Sequence, residues 1–224
     1  MQTTAVILGN GEPPSPELFS ALMASRPLLL CADGGANTAA DYGSVPDWVV
    51  GDLDSVRSDV KHAVPADRMV RVDADNTGTD MQKVLRRAAE LGVTDATLLG
   101  FTGRRTDHTL WNLSLLKTFG GDMDLRIVDD HCEIRLIGPT IRFSAPIRQK
   151  LSLCPLAGPV HGIVTTGLRF PLHGETLAPG IRDGISNEVV ADPVRIDVGS
   201  GDLLLCLHRE GGVVAPDLIT VHES

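Results

Sequence analysis

Aromatic side chains are scarce in this chain: five Phe, two Trp and one Tyr among 224 residues. So few dispersed rings build no stacking platform for single-stranded nucleic acid. Bases are also in deficit, with 20 Lys and Arg against 29 Asp and Glu for a formal net charge of −9. That balance argues against a nucleic-acid footprint and against docking on anionic lipid. No apolar run approaches the ~20 residues that cross a bilayer. The opening Ala5-Val6-Ile7-Leu8-Gly9 follows no basic segment and no signal-cleavage pattern. The expectation is a cytoplasmic protein with no nucleic-acid and no membrane partner. Cysteine is sparse as well: Cys31, Cys132, Cys154 and Cys206 form no C-x-x-C pair, and three lie in apolar runs. They read as buried reduced thiols, and neither a disulfide framework nor a cysteine zinc site is indicated.

What is present is enough apolar residue, 42% of the chain, to bury a sizeable core. Runs rich in Val, Ile and Leu at 5–8, 28–32, 48–50, 69–72, 96–99 and 125–128 lack alternation, as strands covered on both faces do. Between them lie helical patterns, most clearly at 79–91, where Met81, Val84, Leu85, Ala88 and Leu91 share one face. Thr79 and Gln82 make a capping box that starts this helix. Strand and helix in alternation predict an α/β fold, a parallel sheet with helices on both faces, over residues 1–137. Residues 138–224 carry short alternating runs, such as Val194-Arg195-Ile196-Asp197-Val198, with no helical period. They predict a small all-β sandwich.

Ligands of open parallel sheets bind beyond the carboxyl ends of the strands. In this sequence those ends read Gly9-Asn10-Gly11, Asp33-Gly34-Gly35-Ala36-Asn37, Gly51-Asp52-Leu53-Asp54-Ser55, a loop with Asp73, Asp75, Asn76, Thr77, Thr79 and Asp80, and Gly103-Arg104-Arg105-Thr106-Asp107-His108. Carboxylates gathered on one edge repel unless a cation holds them, and hard oxygen ligands suit Mg²⁺ alongside phosphate oxygens. Glycine turns and helix N-termini supply N–H groups for phosphate, and arginines neutralise phosphoryl charge. The combination points to magnesium-dependent chemistry on a nucleotide phosphate. Each element also has a simpler reading: a turn at Asp33, a helix cap at Asp54 or Ser55, a dipole-stabilising Asp80, a solvated Arg104–Arg105 pair.

Four stretches, Ala32-Asp33-Gly34-Gly35-Ala36-Asn37, Gly51-Asp52-Leu53-Asp54-Ser55, Thr79-Asp80-Met81-Gln82-Lys83 and Arg105-Thr106-Asp107-His108-Thr109-Leu110-Trp111-Asn112-Leu113, resemble the ordered motifs of the thiamine pyrophosphokinase family. Thr165-Thr166-Gly167-Leu168-Arg169-Phe170 and Gly184-Ile185-Ser186-Asn187-Glu188 are similar to its vitamin-binding segment. The resemblance implies transfer of a diphosphate from ATP to the hydroxyl of thiamine, giving thiamine diphosphate and AMP. It implies a nucleotide- and Mg²⁺-binding catalytic domain over 1–137 and a thiamine-binding sandwich over 138–224. Asp52, Asp54 and Asp80 would hold Mg²⁺ and, with Arg105, form the catalytic set. Asn10, Gly11, Asp33, Gly34, Asn37, Arg105, Asp107, His108 and Asn112 would meet ATP. Asn76, Thr79, Phe170, Ser186 and Asn187 would meet thiamine. A homodimer with its sites at the interface is implied too. The chain departs from the family at Arg104, where a second glycine is usual, and at Phe170, where Trp or Tyr often stands.

Other readings use the same residues: a diphosphokinase for a hydroxymethylpterin, an aspartyl phosphatase on Asp52-Leu53-Asp54-Ser55, or a non-catalytic sensor of nucleotide or thiamine. Phe170 could equally be sandwich core, and Ser186-Asn187 a simple turn.

Overall fold

Runs of Val, Leu and Ile too short for helices become strands, and amphipathic stretches between them become crossovers. The computed structural model describes residues 3–72, 78–209 and 217–222. These divide into two compact units, Met1–Asp130 and His131–Ser224.

The first unit runs β1 (Thr4–Leu8), α1 (Pro16–Met23), β2 (Leu28–Ala32), α2 (Gly35–Asp41), β3 (Trp48–Gly51), α3 (Ser58–Ala63), β4 (Met69–Arg71), α4 (Asp80–Glu90), β5 (Asp95–Leu99), α5 (Thr106–Phe119) and β6 (Asp124–Val128). Its strands lie in the order β6-β5-β1-β2-β3-β4, every neighbouring pair parallel. All six expected strands are present. Val6, Leu8, Leu29, Cys31 and Val49 turn to one face, where they pack with Leu18, Phe19 and Leu22 of α1, Ala36 and Ala39 of α2 and Val60 of α3. Side chains alternate across a strand, so Ile7, Leu30 and Val50 bury the opposite face, and α4 packs over β1, β2 and β3. Thr79 caps α4 with both arms of the capping box, and Met81, Val84, Leu85 and Ala88 form its buried stripe.

The chain order reverses between β1 and β5. A crevice opens at that switch point beyond the strand ends.

The second unit is all β: β7 (Cys132–Ile137), β8 (Thr140–Ser144), β9 (Lys150–Pro155), β10 (Val160–Thr166), β11 (His173–Leu177), β12 (Gly184–Glu188), β13 (Val194–Asp197), β14 (Leu203–His208) and β15 (Thr220–Val221). One layer is β12-β9-β14-β7 and the other β11-β10-β13-β8-β15, all pairs antiparallel. Leu151, Leu153, Leu203, Leu205 and Leu207 from the first layer meet Phe143, Val160, Ile163, Val194 and Ile196 from the second. Residues 132–137, read from the sequence with the first segment, form β7 and pair with β14. Of the four free cysteines Cys31 is buried, whereas Cys132, Cys154 and Cys206 are only half-buried. Among the described residues no helix is long and apolar enough to cross a membrane.

Candidate active site

Beyond the carboxyl ends of the first unit's strands lies a cavity of about 410 Å³. Its lining includes Asn10 and Gly11 after β1, Asp33 after β2, Asp52, Asp54 and Ser55 after β3, Thr79 and Asp80 at the start of α4, and Gly103, Arg104, Arg105 and His108 after β5. Two backbone features bring these loops together. A Cβ on Gly11 would fall 2.4 Å from the carbonyl oxygens of Gly100 and Thr102, so only glycine lets the first and fifth strand ends approach so closely. A Cβ on Gly51 would fall 2.9 Å from Asp33 Cβ, and its absence lets the ends of β2 and β3 converge.

Convergence there is of carboxylates. One oxygen from each of Asp33, Asp52 and Asp54 lies within 4.8 Å of the others. Asp33 is only 6% exposed and left-handed in backbone (φ 43°), as is Leu53 (φ 65°) between the other two. Such strain concentrates where the fold over-determines a site. Burial pushes the Asp33 carboxyl above its ordinary value; a hydrogen bond with Ser55 opposes this, and the charges of Asp52, Asp80 and Asp54 add to it. Asp33 Oδ1 is buried without a hydrogen-bond partner. An orphaned carboxyl oxygen beside two more carboxylates is the donor set of a hard divalent cation, so these residues fit Mg²⁺.

Asp80 shares the cavity, but Lys83 Nζ holds its Oδ1 at 3.0 Å. Lys83 is buried, its side chain 4% exposed, and it also donates to Val72 O at 3.2 Å. It fastens Asp80 to the end of the fourth-strand segment. Residues three apart on a helix are neighbours, and that spacing is the sequence signal that sets Lys83 against Asp80. Asp33, expected among the residues that meet ATP, lies against Asp52 and Asp54.

The remaining predicted residues divide by what their side chains hold. Asn10, Gly11, Thr79, Arg105, His108 and Asn112 line the cavity. Asn112 is buried and donates to Phe101 O at 2.8 Å, so it also braces the loop after β5. Asn37 donates to Ser55 O and accepts from Arg57 N, which spends its amide on fixing the Asp52–Ser55 loop. Gly34 is the N-cap residue of α2, and a Cβ there would press 2.5 Å from Asn10 Nδ2. Asp107 pairs with Arg105 at 2.5 and 3.1 Å, and this hydrogen-bonded guanidinium pulls its carboxyl down to about 2. Ser55 forms no cap; it donates to Asp54 Oδ1 at 3.0 Å, and α3 starts after Arg57. Asn76 lies outside the described residues, with Asp73, Asp75 and Thr77. α4 and α5 both begin at the cavity, where Thr79 and Asp80 of the one and Arg105 and His108 of the other line the wall, and helix N-termini favour anions.

In the second unit Asn187 is buried and exchanges hydrogen bonds with the backbone of Phe170, accepting from N at 3.0 Å and donating to O at 2.9 Å. Phe170 is 60% exposed, which sets it outside the sandwich core. Ser186 is exposed and left-handed (φ 59°).

Comparison with known proteins places the chain in a family. Residues 19–128 match the model of the thiamin pyrophosphokinase catalytic domain, and residues 140–203 match that of the thiamin pyrophosphokinase vitamin B1 binding domain. A thiamine pyrophosphokinase of Bacillus subtilis is 26% identical over 212 residues, covering 92% of this chain and 98% of its own. Thiamine pyrophosphokinase 1 of Oryza sativa subsp. japonica is 29% identical over 207 residues, covering 80% and 78%. The crystal structure of yeast thiamin pyrophosphokinase superimposes with a TM-score of 0.82 at 19% identity, covering 95% of this chain and 88% of that one. The Bacillus subtilis crystal structure gives 0.80 at 23% identity, covering 93% and 100%. With both of its halves matched in order, the chain belongs to the thiamin pyrophosphokinase family.

Proposed function

We propose that this protein is an ATP:thiamine diphosphotransferase, working in the cytoplasm as a homodimer. The observation that carries the reading is the orphaned, buried Asp33 oxygen beside Asp52 and Asp54, in a cavity that also presents two arginines and two helix N-termini. In the reaction the primary hydroxyl of thiamine attacks the β-phosphorus of ATP. A bond forms from that oxygen to phosphorus, the bond to the α,β-bridging oxygen breaks, and AMP leaves. The hydroxyl gives up its proton as its oxygen bonds to phosphorus.

Catalysis of this kind is in-line positioning and charge neutralisation. Asp33, Asp52 and Asp54 would hold Mg²⁺, with Asp80 set beside them by Lys83. When bound, that ion neutralises phosphate oxygens and shapes the polyphosphate chain. Arg105 and the N–H groups opening α5 bind phosphate oxygens, and Asn10 and His108 border the nucleotide. The carboxylates of the cavity are its proton acceptors. Thr79, on the cavity wall, meets thiamine near the reacting arm. In the second unit Phe170, its backbone clamped by Asn187, offers an exposed ring for stacking on an aromatic heterocycle.

The purified protein, ATP and Mg²⁺ are incubated with thiamine or with a hydroxymethylpterin. AMP release with thiamine alone is the expected result. Release with the pterin alone would move the protein to the other acceptor, and saturable thiamine binding without AMP would make it a sensor.

A further inference from the structure

The two arginines at the cavity mouth stand in different states. Arg105 closes on Asp107 through both Nε and Nη2. Arg104 donates instead to two neutral oxygens across the switch point, Asn10 O at 3.1 Å and Asn10 Oδ1 at 3.2 Å. Both of these bonds leave from Nη1. Its Nε–Nη2 edge, the fork that grips a phosphate in two parallel bonds, holds no partner among the described residues. The positive charge of Arg104 is therefore not cancelled by a carboxylate of its own, in a cavity walled by Asp33, Asp52, Asp54 and Asp80.

Backbone conformation adds a second observation. Gly103 (φ 76°) and Arg104 (φ 51°) are consecutive left-handed residues. A glycine fits such a position without strain and a long side chain does not. The chain nevertheless carries arginine there, held by the Asn10 contact with its fork edge unspent.

We infer that Arg104 binds the donor's phosphates beyond the first, so that the cavity selects a nucleoside triphosphate over a nucleoside monophosphate. Asn10 positions the guanidinium, and the open fork takes two oxygens of the chain. A product that retains only its α-phosphate loses that grip and leaves. This rests on the diphosphotransfer reading and adds the residue that tells substrate from product.

The test measures binding of ATP and of AMP by calorimetry to the wild type, Arg104→Gly and Arg104→Lys. Glycine relieves the left-handed backbone, so a melting temperature no lower than wild type in Arg104→Gly separates lost binding from lost fold. The expected result is a rise of about tenfold or more in the Kd for ATP, with the Kd for AMP within about twofold of wild type. Lysine, which keeps charge and loses the fork, should recover part of the loss. In steady state the KM for ATP should rise while that for thiamine holds. Equal changes in ATP and AMP affinity, or no change in either, would overturn the assignment. If the wild type releases no AMP with any acceptor, the diphosphotransfer reading fails while the ATP-to-AMP binding ratio still decides the role of Arg104.

Discussion

Asp33 concentrates the conflict between fold and function in a single side chain. It is buried, left-handed in backbone and surrounded by Asp52, Asp54 and Asp80, and its carboxyl is pushed up chiefly by burial. The folded protein without metal therefore holds this proton more tightly than the unfolded chain does. On this account stability rises as pH falls from the raised folded value toward the ordinary ~3.9. Asp33→Asn removes the charge in a nearly isosteric side chain. We expect about 1 kcal/mol of stabilisation, or ~2–4 °C in melting temperature for a chain of this size. The same variant should weaken Mn²⁺ binding, followed by the paramagnetic signal of the free ion. A lower melting temperature with intact Mn²⁺ binding would show that Asp33 is structural. Asp54→Asn and Asp80→Asn should each lower kcat about a hundredfold or more with the circular dichroism spectrum unchanged. Wild-type turnover in either would remove that residue from the catalytic set.

At the scale of elements, α4 carries both architecture and chemistry, because its capping residue Thr79 also lines the cavity. Thr79→Ala removes the acceptor for the Gln82 N–H and should cost about 1 kcal/mol, visible as a lower denaturant midpoint. In the second unit the exposed ring of Phe170 bears little on stability. Phe170→Ala should leave the melting temperature within about 1 °C while raising the KM for thiamine ~2- to 10-fold, the worth of one aromatic stack. An unchanged KM would separate this ring from the vitamin.

The six parallel strands, the start of α4 and the antiparallel second half were legible because periodicity, capping chemistry and run length all agreed there. The gathering of acids at strand ends followed from the same pattern. Which carboxylates meet was not legible, since that depends on β2 lying beside β3 and on the two left-handed residues, Asp33 and Leu53. Nor could sequence tell that Asn37 turns to the backbone of the segment after β3, or that Asp107 turns to Arg105 beside it. A polar side chain looks the same in a string whether it faces ligand or backbone.

Across the whole molecule, the first unit carries the match to the family's catalytic domain and the second the match to its vitamin B1 binding domain. Analytical ultracentrifugation should give twice the chain mass of 23.8 kDa if the working form is the proposed homodimer. A monomer with full turnover would contradict that part. The central claim is attack at the β-phosphorus within the carboxylate-walled cavity, and ³¹P NMR of the complete reaction tests it most directly. The account predicts one AMP for each thiamine diphosphate, and loss of both in Asp54→Asn. Accumulation of ADP with thiamine monophosphate would place attack at the γ-phosphorus and contradict it.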